Sequence, residues 1–471
     1  MLFNSFSFLV FFALVLLLHR LPLSWSLKKF NLVAASYLFY AAWNPPFVVL
    51  LWISTAVDWM IGRRIHEAEE PRQRRRLLLV SLSVNLGLLG YFKYAGFVLD
   101  NFVWLVRQLG VAYDPAPPDI ILPLGISFYT FQTLSYTLSI YRREARPADS
   151  LVDFALFVTF FPQLVAGPIV RATDFIVQLV RPVQADARQF GWGLALMNLG
   201  IFEKVVLSDT LLAPVADEVF AAPHAVGTLD AWVGTLAFAG QIFFDFGGYS
   251  SCAIGAALCL GFVLPENFRC PYASVGFSDF WRRWHISLST WLRDYLYISM
   301  GGNRRGSMRT YFNLAVTMVL GGLWHGASWN FVIWGSLHGF YLIVERALRP
   351  VFSEVRFVRH GLFRLFAGAL TFLLVTFTWV FFRSQTLTDA VNLASTMFAN
   401  LPSHTLQSQQ VATVLGLVGA MLFAQTLLRN TDLEQAFARL PVLLKGPILA
   451  FPILCLFAVP GDDRAFIYFQ F

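Results

Sequence analysis

Two histidines, 40 positions apart, stand in the stretch of this chain richest in ionisable and aromatic residues. His285 lies in Asp279-Phe-Trp-Arg-Arg-Trp-His285-Ile-Ser-Leu-Ser-Thr-Trp-Leu-Arg293-Asp294, and His325 in Gly321-Gly-Leu-Trp324-His325-Gly-Ala-Ser-Trp-Asn330. His325 has a tryptophan before it, a glycine after it and apolar runs on both sides. Desolvation disfavours the charged form of an imidazole. A neutral imidazole facing a cavity can take the proton of a hydroxyl as general base. The plainer alternative is a hydrogen bond between helices, and it suits His338, 13 residues further on, better than His325.

Other polar residues gather nearby. Asp245 interrupts an apolar run in Gln241-Ile-Phe-Phe-Asp245-Phe-Gly-Gly-Tyr249. It is either a binding residue or a packing hydrogen bond where glycine lets backbones approach. Asn267 lies in a Pro-bounded loop, Pro265-Glu-Asn267-Phe-Arg-Cys-Pro-Tyr272. Around His285, Arg282, Arg283 and Arg293 alternate with Trp281, Trp284 and Trp291. This pattern predicts an amphipathic helix at the membrane interface. It serves as an anchor or as a basic mouth for an anionic, nucleotide-bearing donor, since arginine suits phosphate. Arg283, Arg293, Asp294, Asp245, Asn267 and Trp324 are therefore the candidate binding residues.

No HxxxH, HExxH or paired Cys spacing is present, so no metal site is expected. Cys252, Cys259, Cys270 and Cys455 read as packing residues. A Walker A sequence, GxSxG and a GxGxxG in βαβ context are also missing, which argues against soluble-type nucleotide or serine chemistry.

The elements that must position these residues are membrane helices. Of 471 residues, 57% are hydrophobic and 13% charged, about half the charge of an ordinary soluble domain. Mean hydropathy is +0.60. Lipid acts as the solvent for such a chain. Apolar stretches run from Phe3 to Leu18, Asn31 to Trp43, Phe47 to Gly62 and Leu77 to Val98. Others begin near Leu122, Val152, Gly191, Leu229, Phe312, Asn330, Leu362, Val411 and Pro447. The expectation is an all-α polytopic protein with about 11–13 transmembrane or re-entrant helices. It forms a single membrane domain over 1–471, with its signature region at about 241–340. The net charge of +7 reflects loop arginines rather than nucleic-acid binding. Arg63, Arg64, Arg72, Arg74, Arg75 and Arg76 mark a cytoplasmic loop, and Arg20, Lys28 and Lys29 another, two spans earlier. Together they place the N-terminus outside. The first span lacks a basic n-region and a small-residue cleavage site, so it reads as retained.

The Arg-Trp-His285-Ile-Ser-Leu and Gly-Leu-Trp-His325-Gly motifs resemble the signature of the membrane-bound O-acyltransferase superfamily. Tyr91-Phe-Lys-Tyr94, Leu122-Pro-Leu-Gly-Ile-Ser-Phe-Tyr129, Phe161-Pro-Gln-Leu-Val-Ala-Gly-Pro168, the Asp245 stretch and Phe466-Ile-Tyr-Phe-Gln-Phe471 resemble its bacterial branch that acetylates exported polysaccharides such as alginate. The resemblance implies helices around a funnel or tunnel, His325 as the catalytic residue and His285 as a second functional position. It implies no bound cofactor, acetyl-CoA as acyl donor, an exported polysaccharide as acceptor and periplasmic acetyltransferase partners, at a bacterial inner membrane. The chain departs from the pattern at Ser139, where an Asp is expected, and at Glu203, where a Lys is expected. Two other functions fit the sequence: D-alanyl transfer to cell-wall polymers from a carrier protein, and a polysaccharide transporter without covalent chemistry.

Overall fold

The computed structural model describes residues 1, 3–353, 361–459, 464, 466 and 467. Of the terminal motif, Tyr468 to Phe471 lie outside the described residues. Every regular element among the described residues is a helix. Each of the thirteen apolar stretches falls on one. Among the described residues, six helices are long and apolar enough to cross a membrane: Pro45–Glu67, Pro71–Gln108, Ala187–Ala221, Thr228–Cys259, Gly361–Arg383 and Ser408–Leu428. Phe6–Arg20 and Val442–Ala458 are shorter but apolar. The other five stretches meet local obstacles. The Leu151–Thr159 helix ends before Pro162, whose ring cannot continue it. Trp25–Ala41 carries Lys28 and Lys29, Ile126–Tyr141 has only 16 residues, and Ser307–His325 and Trp329–Ser353 carry the polar residues of the signature region.

The chain folds as two compact units, Met1–Gly193 with Ala253–Pro265, and Leu194–Cys252 with Glu266–Phe471. In the first unit, Phe8, Phe11, Phe12, Phe39 and Phe161 form a buried aromatic cluster. Beside this apolar packing lies a closed polar network. The Asp58 carboxylate accepts from Ser81 Oγ at 2.6 Å and Asn85 Nδ2 at 2.8 Å, and Asn85 Oδ1 accepts from Ser54 at 2.7 Å and Thr133 at 3.2 Å. An unpartnered polar group costs several kcal/mol in apolar surroundings, so each member answers another across the Val48–Glu67, Pro71–Leu89 and Ile126–Tyr141 helices.

The second unit holds the signature residues, and glycine sets its closest packing. The Ser307–His325 and Trp329–Ser353 helices form a tight hairpin. A Cβ at Gly335 would lie 2.3 Å from the Met318 carbonyl oxygen, and one at Gly322 2.2 Å from that of Phe331. Backbone meets backbone there, which only glycine allows. This hairpin carries His325 at its turn. Gly335→Ala is expected to cost about 1–3 kcal/mol by forcing the helices apart, whereas Gly416→Ala, with open space around it, is expected to be neutral. Melting temperatures in detergent check this, and a Gly335→Ala protein that melts with the wild type contradicts the tight crossing.

Candidate active site

The site is assembled from a loop and a turn that hold each other. Ile286 N–H donates to Asn267 O at 2.9 Å, and Arg269 N–H donates to Arg283 O at 2.9 Å. These bonds divert the chain from helix. The sequence pattern predicted one amphipathic helix from Asp279 onward, but the structure divides it into Phe277–Phe280, Ile286–Trp291 and a π-helical turn, Leu292–Tyr297. Arg283's carbonyl serves the loop, and His285 takes the left-handed conformation at φ 43°. A β-carbon-bearing residue there stores strain of order 1–3 kcal/mol, a feature that clusters at functional sites.

His285 is fully buried. Its Nδ1 lies 3.1 Å from Asn267 Oδ1. That oxygen also accepts from the Ser287 hydroxyl at 2.8 Å, while Asn267 Nδ2 donates to Ser250 Oγ at 3.0 Å. With Oδ1 acting as acceptor, the network assigns the proton to Nδ1 and leaves the lone pair on Nε2. His285 lies outside the six candidate spans. Burial pushes its pKa down to about 3, so the ring is neutral at physiological pH.

His325 ends the Ser307–His325 helix and is 3% exposed. The two imidazole centroids are 6.3 Å apart, and Trp324 touches both rings, at 5.8 Å from His285 and 5.1 Å from His325. Trp334 and Phe382 close around His325 at 5.1 and 5.2 Å, and Phe246 covers His285 at 4.7 Å. The structure thus brings His285, His325, Asn267 and Trp324 together in a buried aromatic box. His338 does what the plain reading expects. Thr378 Oγ1 donates to Val375 O at 2.7 Å, so it accepts from His338 Nε2 at 3.0 Å, tying two helices together.

Asp245 sits one residue before Phe246, beside the box rather than in it. It pairs with Lys204, which also reaches Asp209 at 2.9 Å, and it accepts from Ile467 N–H at 2.7 Å. The π-helical run Glu203–Leu212 turns more widely than an α-helix and brings residues five apart onto one side, so Lys204 meets Asp209. Phe466 packs on Tyr249 at 4.7 Å and on Phe246 at 5.5 Å. Lys204 and Asp209 were not singled out from the sequence, although an ionisable residue inside an apolar run is the signal that marks them.

The arginines lie elsewhere. Arg283 donates to Asp279 at 3.0 Å and to the carbonyls of Arg269 and Arg429 at 3.2 and 2.9 Å. Arg429 also pairs with Asp279, at 2.6 Å. Burial by itself raises the Asp279 pKa, but the Val275 N–H and the two guanidiniums outweigh it and hold the carboxyl below the usual range. Arg293 and Asp294 pair with each other at 2.6 and 3.1 Å, with the Arg293 side chain 60% exposed. Among the described residues no group of three His, Cys, Asp or Glu could hold a metal.

A helical membrane protein with two buried imidazoles in an aromatic box has the equipment to move an acyl group onto a hydroxyl. Comparison with known proteins fits this class. The MBOAT, membrane-bound O-acyltransferase family matches residues 141–385. A protein of Azotobacter vinelandii named probable alginate O-acetylase AlgI is 44% identical over 82% of this chain and 77% of its own length. The peptidoglycan O-acetyltransferase of Helicobacter pylori is 36% identical over 78% of this chain and 73% of its own. The teichoic acid D-alanyltransferase of Streptococcus thermophilus is 27% identical over 53% of this chain and 64% of its own. The chain belongs to the membrane-bound O-acyltransferase family and is a multi-pass O-acyltransferase.

Two predictions follow from the geometry. Asn267→Ala removes the carboxamide's bonds to His285, Ser287 and Ser250 and releases His285 from its tautomer; loss of the His285 bond alone, at about 1–3 kcal/mol, is expected to lower turnover about 10–100-fold at unchanged membrane level, and unchanged turnover contradicts the clamp. The depressed Asp279 pKa contributes stability that is present above the unfolded value of about 3.9 and is lost as pH falls through the lower folded value. Asp279→Asn therefore lowers the melting temperature at pH 7, and the gap to wild type narrows below about pH 4. An equal gap at pH 3 and pH 7 assigns the loss to something other than the carboxylate's charge.

Proposed function

We propose that the acyl group is acetyl, taken from the thioester of acetyl-CoA at the cytoplasmic side of a bacterial inner membrane. It passes toward hydroxyls of an exported, alginate-like polysaccharide, directly or through a periplasmic acetyltransferase partner. The observation that carries this reading is the His285–His325 pair in its aromatic box, in a chain 44% identical to a probable alginate O-acetylase. His325 is the general base. Its imidazole takes the proton of the attacking hydroxyl as the oxygen bonds to the thioester carbonyl carbon. The C–S bond then breaks, the thiolate leaves with that proton, and an ester remains. General-base help is worth roughly 10²–10⁴-fold, and holding both substrates in one site contributes further.

His285, fixed by Asn267, orients the donor or passes the proton with its Nε2 lone pair. The exposed Arg293, with Asp294, holds donor phosphates. The three bonds of Arg283 suit a residue that fixes the loop carrying Asn267 and so shapes the donor's approach. Asp245 acts through Phe246 and the Ile467 backbone, and Trp324 walls the space between the imidazoles. The arginine-rich loop between Gly62 and Leu77 supports a cytoplasmic face there and an N-terminus outside. D-alanyl transfer is the weaker reading, since the D-alanyltransferase likeness covers only 53% of the chain.

The test is complementation of cells lacking the gene with wild type or His325→Ala at matched membrane levels. Acetyl ester on the polymer is expected to fall by at least about 10²-fold. Retained acetylation removes His325 as the base.

A further inference from the structure

A groove of about 840 Å³ lies in the second unit between the Gly361–Arg383 and Ser408–Leu428 helices, and neither His285 nor His325 lines it. Both helices are candidate spans. The walls are apolar, and Leu365, Leu373, Leu415 and Leu427 are all exposed on the outside of the unit. Polar residues are confined to one end, where Arg364, Arg429, Asn430 and Thr431 gather at the start of one helix and just past the end of the other.

The dimensions select the occupant. Along the second helix the lining runs from Leu415 to Leu427. Twelve residues at 1.5 Å each give about 18 Å, roughly half the ~30 Å apolar thickness of a bilayer. A groove one leaflet deep, apolar along its length and cationic at one end, matches a lipid with acyl chains and an anionic head. Arg364 is exposed at that end. Arg429 is shared with Asp279, so the cationic character of the rim rests mainly on Arg364.

We propose that this groove binds one anionic glycerophospholipid of the surrounding membrane, its acyl chains between the two helices and its phosphate on Arg364 and the Arg429–Thr431 rim. The site adjoins the catalytic loop. Tyr272, which lines the groove, donates from its N–H to Gln425 Oε1 at 2.7 Å and stacks near Trp284 at 5.9 Å, next to His285. The bound lipid therefore packs against the loop that carries Asn267.

The experiment is lipid exchange on the purified full chain, followed by native mass spectrometry. Phosphatidylglycerol and phosphatidylethanolamine of identical chains are the probes, with acetyl-CoA as competitor. Wild type is expected to retain one phosphatidylglycerol and to prefer it about tenfold, because phosphatidylethanolamine carries the same phosphate but its ammonium cancels the net negative charge that Arg364 attracts. Arg364→Gln is expected to lose the preference while keeping a lipid. Gly419 lines the groove, and a Cβ there would meet nothing within 4 Å, so Gly419→Phe directs a ring into the groove and is expected to lose the lipid. Equal retention of both lipids by wild type, phosphatidylglycerol retained by Gly419→Phe, or displacement by acetyl-CoA each overturns the proposal. The last outcome assigns the groove to the donor.

Discussion

The carboxamide of Asn267 is the joint on which the site depends. One oxygen collects the His285 ring N–H and the Ser287 hydroxyl, and the amide nitrogen answers Ser250. Each of these groups is buried. Without Asn267 the imidazole could keep its position by packing alone, but the nitrogen carrying its proton would no longer be dictated. An imidazole whose proton can sit on either nitrogen has no fixed donor side and no fixed acceptor side. The backbone bonds between the Asn267 loop and the His285 turn deliver the carboxamide to the ring, and the strained left-handed His285 is the cost of that registration.

The same rule acts in the other unit. Asp58, Ser81, Asn85, Ser54 and Thr133 form a closed circuit across three helices because a lone carboxylate in apolar surroundings is too costly. Dispersion and aromatic packing make the bulk of both units, yet they leave helices free to slide or turn. Polar circuits of this kind fix register, since a shift by one residue breaks several bonds at once.

The helices were legible because lipid imposes a composition that any stretch of about 20 residues displays. The two histidine motifs were legible for a related reason, since charged and polar residues inside apolar runs survive only for a purpose. What the sequence hides is pairing across elements. Nothing local to Lys204 announces that it meets Asp245, and nothing local to Arg283 announces that its guanidinium serves Asp279 and two carbonyls. The broken helix around His285 was misread because its tryptophan and arginine spacing suits a continuous helix. A partner strand of chain at Asn267–Arg269 overrides that local preference.

The bond from the Ile467 N–H to Asp245 spans 222 positions. At a ribosomal pace of about 5–20 residues per second, the aspartate is made roughly 10–45 s before its donor exists. Lys204 precedes Asp245 in the chain, so it is already present as a counter-charge during that interval. The pairing order thus follows the chain order: the carboxylate has its lysine from the start and gains the backbone donor last. Completion of the Asp245 shell is correspondingly late, a property of the order of synthesis as much as of the finished fold.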